Sequence, residues 1–156
     1  MGTGGVHMTV TAELYGNAEK NAWLGKINFE EDYIKVMLCT SSYIPDQDEH
    51  EFKSDITNEV TGTGYIAGGQ RLFNCAVTYD PVTKKIKLDS NDITWLSSSI
   101  TARCAVFYVD TVGVEDTAKP LICYWDFGED WTDTAGNFTL ELSTEGLIVN
   151  TVGAEA

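Results

Sequence analysis

The chain has 156 residues, 43% hydrophobic and 22% charged, a composition that supports one hydrophobic core and excludes the low-hydropathy, high-charge regime of disordered chains. Asp and Glu number 24 against 10 Lys and Arg, a net charge of −14, and a field of that sign repels phosphate backbones and anionic lipid headgroups, so neither nucleic acid nor a membrane is expected as a partner. The longest uninterrupted apolar stretch, residues 104–109, is far short of the roughly 18 to 20 residues of a spanning helix.

Residues 1–8 lack the basic and apolar regions of a secretory signal and read as a flexible arm or leader ahead of a single domain over 9–156, assembled in a cytosol. The recurrence of Leu14, Ala18 and Ala22 every four residues predicts an amphipathic helix over 12–25, with Thr11 as N-cap and Glu13 in the first turn. Over 33–39, Ile34, Val36 and Leu38 alternate with Tyr33, Lys35 and Met37, the period of a half-buried strand. Residues 41–70 form a long polar tract with Pro45, an acidic run and four glycines from Gly62 to Gly69; such a tract usually belongs to a functional loop or arm, and contacts are expected there.

Strand-like runs at 72–79 and 84–89 flank Asp80-Pro81-Val82-Thr83 and predict a hairpin, with Lys84, Lys85 and Lys87 on its solvated edge. Further strands are expected at 92–95, 100–110, 121–127, 138–142 and 147–152. About eight short strands bounded by turn residues, with one short N-terminal helix, predict an all-β fold, a β-sandwich of jelly-roll type.

Chemistry-bearing patterns are sparse. The run Asp46-Gln-Asp-Glu-His-Glu51 holds oxygen ligands that a loop could fold around Ca²⁺, but without the glycine and terminal Glu of an EF-hand loop it reads as a solvated acidic loop. The same holds for Glu30-Glu31-Asp32, for Glu115-Asp116, and for Asp126 with Glu129 and Asp130. His50 is the one practical imidazole, since His7 lies in the leader, and no nucleophile elbow accompanies it. Gly62-Thr-Gly64-Tyr-Ile-Ala67 formally matches a dinucleotide fingerprint, yet it heads into a strand and reads as a glycine-rich bend. No catalytic residue, cofactor or metal site is assigned.

Cys39, Cys75, Cys104 and Cys123 all fall in expected strands without a Cys-x-x-Cys spacing. Three readings stay open, in this order: buried reduced thiols, Cys39 foremost; inter-subunit disulfides drawing on Cys75, Cys104 and Cys123; and, a distant third, a catalytic cysteine. Trp95 and Trp131 lie at strand or loop ends, and with Tyr43, Phe52 and Tyr65 from the polar tract they are the interface candidates; a peripheral core position is the alternative for the tryptophans.

The segments Ile34-Lys-Val-Met-Leu-Cys-Thr-Ser-Ser-Tyr43, His50-Glu-Phe-Lys-Ser-Asp-Ile-Thr-Asn-Glu-Val-Thr-Gly-Thr-Gly-Tyr65, Ile100-Thr-Ala-Arg103, Lys119-Pro-Leu-Ile122 and Asp126-Phe-Gly128 resemble a group of small tailed-bacteriophage virion structural proteins, over almost the whole chain. The resemblance implies a non-enzymatic capsid decoration or cementing protein on the virion surface, with the major capsid protein as partner and a homotrimer as the working form. A tail, neck or fibre module that binds a receptor or glycan through Trp95, Trp125 or Trp131 is the alternative. The chain departs from that group at Cys75, Cys104 and Cys123, which raises the disulfide reading without establishing it.

Overall fold

The structure, a computed structural model, describes residues 10–153; the arm expected over 1–8 lies outside the described residues. In chain order these fold as β1 (Thr11–Leu14), α1 (Gly16–Trp23), β2 (Ile34–Cys39), β3 (Gln70–Arg71), β4 (Ala76–Asp80), β5 (Lys85–Asp89), β6 (Ile93–Ser98), β7 (Thr101–Val109), β8 (Leu121–Thr132), β9 (Gly136–Leu140) and β10 (Ile148–Thr151). All pairings are antiparallel. They make a five-stranded sheet ordered β1-β8-β7-β2-β3, a three-stranded sheet β10-β5-β4 and the ribbon β6-β9. The chain is thus all-β with one helix and several antiparallel sheets.

The centre of the five-stranded sheet, β2, β7 and the first part of β8, is buried on both faces, and the alternation in its strands shows why. Ile34, Val36 and Leu38 of β2, with Phe107 of β7 and Trp125 of β8, point into the main core, where Trp95, Phe138 and Leu140 of the ribbon and Ile148 of β10 meet them. Met37 and Cys39 point the other way, into a second cluster with Tyr15, Ala18, Tyr43, Cys104 and Tyr108. The period of two places Met37 on the solvent side of a half-buried strand. It is buried instead, because α1 and the tract after β2 roof that face.

The tract over 41–70 does not project as an arm in the described chain. It lies along the sheet, bridged Cys39 to Glu59, Phe52 to Pro120 and Thr63 to Ser99. Its glycines answer close backbone approach. At Gly69, φ is +85° and an added Cβ would stand 1.7 Å from the Val36 carbonyl oxygen; at Gly64 it would meet Ser98 Cα at 2.8 Å. The formal dinucleotide match is therefore a packing device.

The helix begins later than its spacing predicts. Residues 11–14 pair with 126–123 of β8 as a strand, and α1 starts at Gly16 with Tyr15 in the N-cap position and no side-chain cap; Thr11 caps nothing. Val10, Ala12 and Leu14 carry a period of two as well as Leu14's place in a period of four, and all three pack on the main core. Pairing with a long neighbouring strand overrides the helical reading of a glycine- and asparagine-rich segment.

β8 runs on past Phe127 through a bulge. Ala102 pairs with Trp131 and Cys104 with Asp126, so residues 127–130 all stand opposite Arg103. Gly128, at φ +82°, permits the bend, and Gly128, Glu129 and Asp130 are exposed there.

Candidate functional site

Most of the carboxylates that could suggest chemistry hold the backbone or an ammonium group. Asp46 Oδ1 accepts the N–H groups of Asp48 and Glu49 at 3.1 and 3.0 Å, and Asp55 Oδ2 accepts those of Glu51 and Phe52 at 2.8 and 3.0 Å. Glu51 Oε2 meets Lys20 and Asn21, each at 3.1 Å. Asp32 caps Asn28 N–H, and Glu30 reaches the N–H of Val77 on β4 at 2.9 Å. Asp116 bridges Lys53 and Lys119 at 3.2 and 3.3 Å. Asp126 holds Arg103 at 2.9 Å and Gly128 N–H at 2.9 Å, and these donors outweigh burial to keep its carboxyl below the ordinary range. Among the described residues no three His, Cys, Asp or Glu side chains are arranged to hold a metal ion.

The aromatic candidates sit inside the molecule to differing degrees. Tyr43, 3% exposed, joins Tyr15 hydroxyl to hydroxyl at 2.9 Å and His50 Nδ1 at 2.9 Å. That nitrogen also accepts the Asp46 N–H at 3.2 Å. Tyr65, half-buried, donates to Glu59 and accepts Leu38 N–H, fixing the tract to β2. Phe52 is half-buried beside Pro120. Trp95, 1% exposed, packs edge-on against Phe138, and Trp131, 7% exposed, stacks on Phe127.

The two tryptophans are core residues of this chain, a correction to their reading as interface anchors. Strand ends are solvent-facing only where nothing folds over them, and here the ribbon and the β8 bulge do. Trp125 is buried too, with its indole N–H donated to the Leu147 carbonyl at 2.8 Å. Trp125 and Trp131, 6% and 7% exposed, line a surface hollow of about 470 Å³ with Glu141, Ser143 and Glu145, whereas Trp95 does not.

All four thiols are free. Cys104 and Cys123 are both buried, and nothing in the structure supports an inter-subunit disulfide through either; burial pushes the Cys123 thiol well above its ordinary value. Cys75 is the one thiol with intermediate exposure.

Among the described residues, the most apolar surface hollow is a groove of about 520 Å³ between α1 and the three-stranded sheet. Its walls are Leu14 and Ala18, Phe29 from the loop after α1, and Val77, Ile86 and Leu88 of β4 and β5. Trp23 stands at its rim, 85% exposed, and Leu24 beside it is 61% exposed. Neither appears among the residues singled out in the sequence. The signal was present in residue type: a tryptophan ends a short helix whose buried residues are Ala18 and Asn21, and it lines the groove beside Ala18 and Ala22 without being covered. Large exposed apolar groups around a concave apolar surface mark a contact site for another molecule.

No family model matches this chain, and no curated protein or solved structure matches it.

Proposed function

We propose that the chain is a structural, non-enzymatic component of a tailed-bacteriophage particle, a decoration or cementing protein that binds the assembled shell of major capsid protein as a homotrimer. The observation that carries the contact part of this reading is the groove beside α1. It combines aliphatic walls with a tryptophan left in water at its rim, while the carboxylates nearest to chemistry serve turns and ion pairs. The virion, the shell and the trimer come from the resemblance of residues 34–43, 50–65 and 100–103 to virion proteins. A jelly-roll sandwich is the arrangement that resemblance implies for the layered antiparallel sheets, and it belongs to the same proposal.

A protein that binds only the assembled shell stabilises it by mass action. Attachment at several equivalent points around a symmetry axis multiplies modest single-site affinities. The negative charge of −14 keeps the exposed surface soluble. Receptor or glycan binding on a tail or fibre is the second reading: Trp95 is enclosed in the core, while Trp125 and Trp131, 6% and 7% exposed, line a hollow with Glu141 and Glu145 but give a sugar little ring surface. Quantitative mass spectrometry of purified particles, with the chain located by electron microscopy, tests the proposal: a copy number matching the capsid lattice is expected, and confinement to the tail or absence from the particle sinks it.

A further inference from the structure

Beneath the roof formed by α1 and residues 43–60, two thiols lie side by side. Cys39 is the last residue of β2, and its register partner on β7 is Cys104. Asp110 N–H donates to the Tyr33 carbonyl at 2.7 Å. Hydrogen-bonded pairs recur every second residue in an antiparallel ladder, so Lys35 with Tyr108, Met37 with Val106 and Cys39 with Cys104 are bonded pairs too.

In such a pair the Cα atoms lie about 5.5 Å apart and both side chains leave the sheet on one face. That Cα spacing falls inside the roughly 4.4 to 6.8 Å seen across disulfides, while the Cβ atoms of a bonded pair stand wider than the roughly 3.5 to 4.5 Å a disulfide takes, so joining the two free thiols draws the strands together. The two thiols share the second apolar cluster, and the neighbouring Cys104 thiol first, then burial, pushes the Cys39 thiol far above its ordinary value. The other two cysteines have no such neighbour: Cys123 stands opposite Phe107, and Cys75 precedes β4.

A second, independent feature gives access. A surface hollow of about 290 Å³, walled by Tyr43, Pro45, Arg103 and Asp126, reaches Cys104 but is not lined by Cys39. A small reagent entering it meets one member of the pair.

We propose that Cys39 and Cys104 form an oxidisable dithiol, a modification site at which a small organic disulfide converts the pair into a cross-strand disulfide within one chain. Cys104 loses its proton to solvent, and its thiolate attacks one sulfur of the reagent, forming a mixed disulfide and expelling one thiolate. Cys39 then gives up its proton and attacks Cys104 Sγ, expelling the second thiolate. Two protein thiols are oxidised to one disulfide while one small disulfide is reduced to two thiols. The bond joins the end of β2, where the roof begins, to the middle of the sheet; it shortens the unfolded chain's free length and raises resistance to unfolding. The inference is independent of the docking reading and differs from inter-subunit stapling in linking strands of one copy.

The test treats the folded, full-length chain with oxidised glutathione, alkylates remaining thiols with iodoacetamide and maps peptides by mass spectrometry. A linked Cys39–Cys104 peptide is expected, with Cys75 and Cys123 outside any linked peptide, a monomer on non-reducing electrophoresis and a higher urea midpoint than the reduced chain. In Cys39→Ser, folded by circular dichroism, the reaction stops at a glutathione adduct on Cys104. Failure to form the linked peptide under folding conditions, its formation only in urea, or linkage through Cys75 or Cys123 overturns the proposal.

Discussion

Trp131 lies flat on Phe127, ring centroids 3.9 Å apart and planes 4° from parallel. Both belong to β8, four residues apart, a spacing that separates side chains by about 13 Å in a regular strand. The stack exists because residues 128–130 loop out at the bulge, returning Trp131 to the core face beside Phe138. Trp131→Ala therefore removes an enclosed aromatic contact and leaves a cavity, at a cost of about 3–5 kcal/mol. Urea unfolding followed by circular dichroism measures it. A midpoint unchanged from the parent would mean that the indole is not a core element.

Glycines at positive φ divide by what surrounds them. Gly69→Ala places a methyl group on the Val36 carbonyl, so β2 or the tract must move, and a loss of roughly 3 kcal/mol or more is expected. Gly113 shares a positive φ, +82°, but has open space around it, and its alanine variant carries only the left-handed strain of about 1–2 kcal/mol. Thermal melts of the two variants side by side check the difference. Equal losses would show that conformation, and not contact, governs both sites.

How far the sequence reaches is decided by the range over which each signal acts. The alternation of Ile34, Val36 and Leu38 and the turn residues around Pro81 are local, and β2 and the β4–β5 hairpin stand where they point. Met37 was hidden from such reading because its burial depends on Tyr15 and Tyr43, neither within five residues of it. Trp95 and Trp131 look terminal in the chain and become central once β9 folds over them. The groove beside Trp23 is a relation between α1 and strands more than fifty residues later. No local pattern encodes its depth.

Asp110 accepts Lys119 at 2.6 Å and Lys35 at 3.1 Å, and Asp116 extends the chain of charges to Lys53. Burial acts to raise the Asp110 carboxyl, but the two ammonium groups outweigh it and hold it below the ordinary carboxylate range. A carboxyl depressed on folding stabilises the protein above its unfolded value of about 3.9 and loses that contribution as pH falls through the lower folded value. Asp110→Asn should cost roughly 1–3 kcal/mol near neutrality, where a charge-assisted bond is lost. Its stability should also fall less steeply than the parent's below about pH 4. Urea midpoints across that range supply the comparison; parallel curves would mean that other carboxylates carry the acid sensitivity.

Trp23 separates adhesion from folding. Its side chain is 85% exposed, so Trp23→Ser should alter the chain's own stability by no more than about 0.5 kcal/mol, as for surface sites in general. A tryptophan that becomes enclosed at a contact commonly contributes about 2 kcal/mol or more to binding, roughly a thirtyfold change in affinity. Val112 is just as exposed but is not part of the groove, which makes Val112→Ser the matched control. Co-sedimentation of each variant with purified shells lacking the protein measures retention: Trp23→Ser should be released at concentrations where the parent and Val112→Ser stay bound. Because the groove's floor is built from Leu14, Ile86 and Leu88, which also pack on or beside the core, substitutions there would mix unfolding with release. Trp23 at the rim avoids that ambiguity, and full retention of the folded Trp23→Ser chain would move the contact surface away from α1.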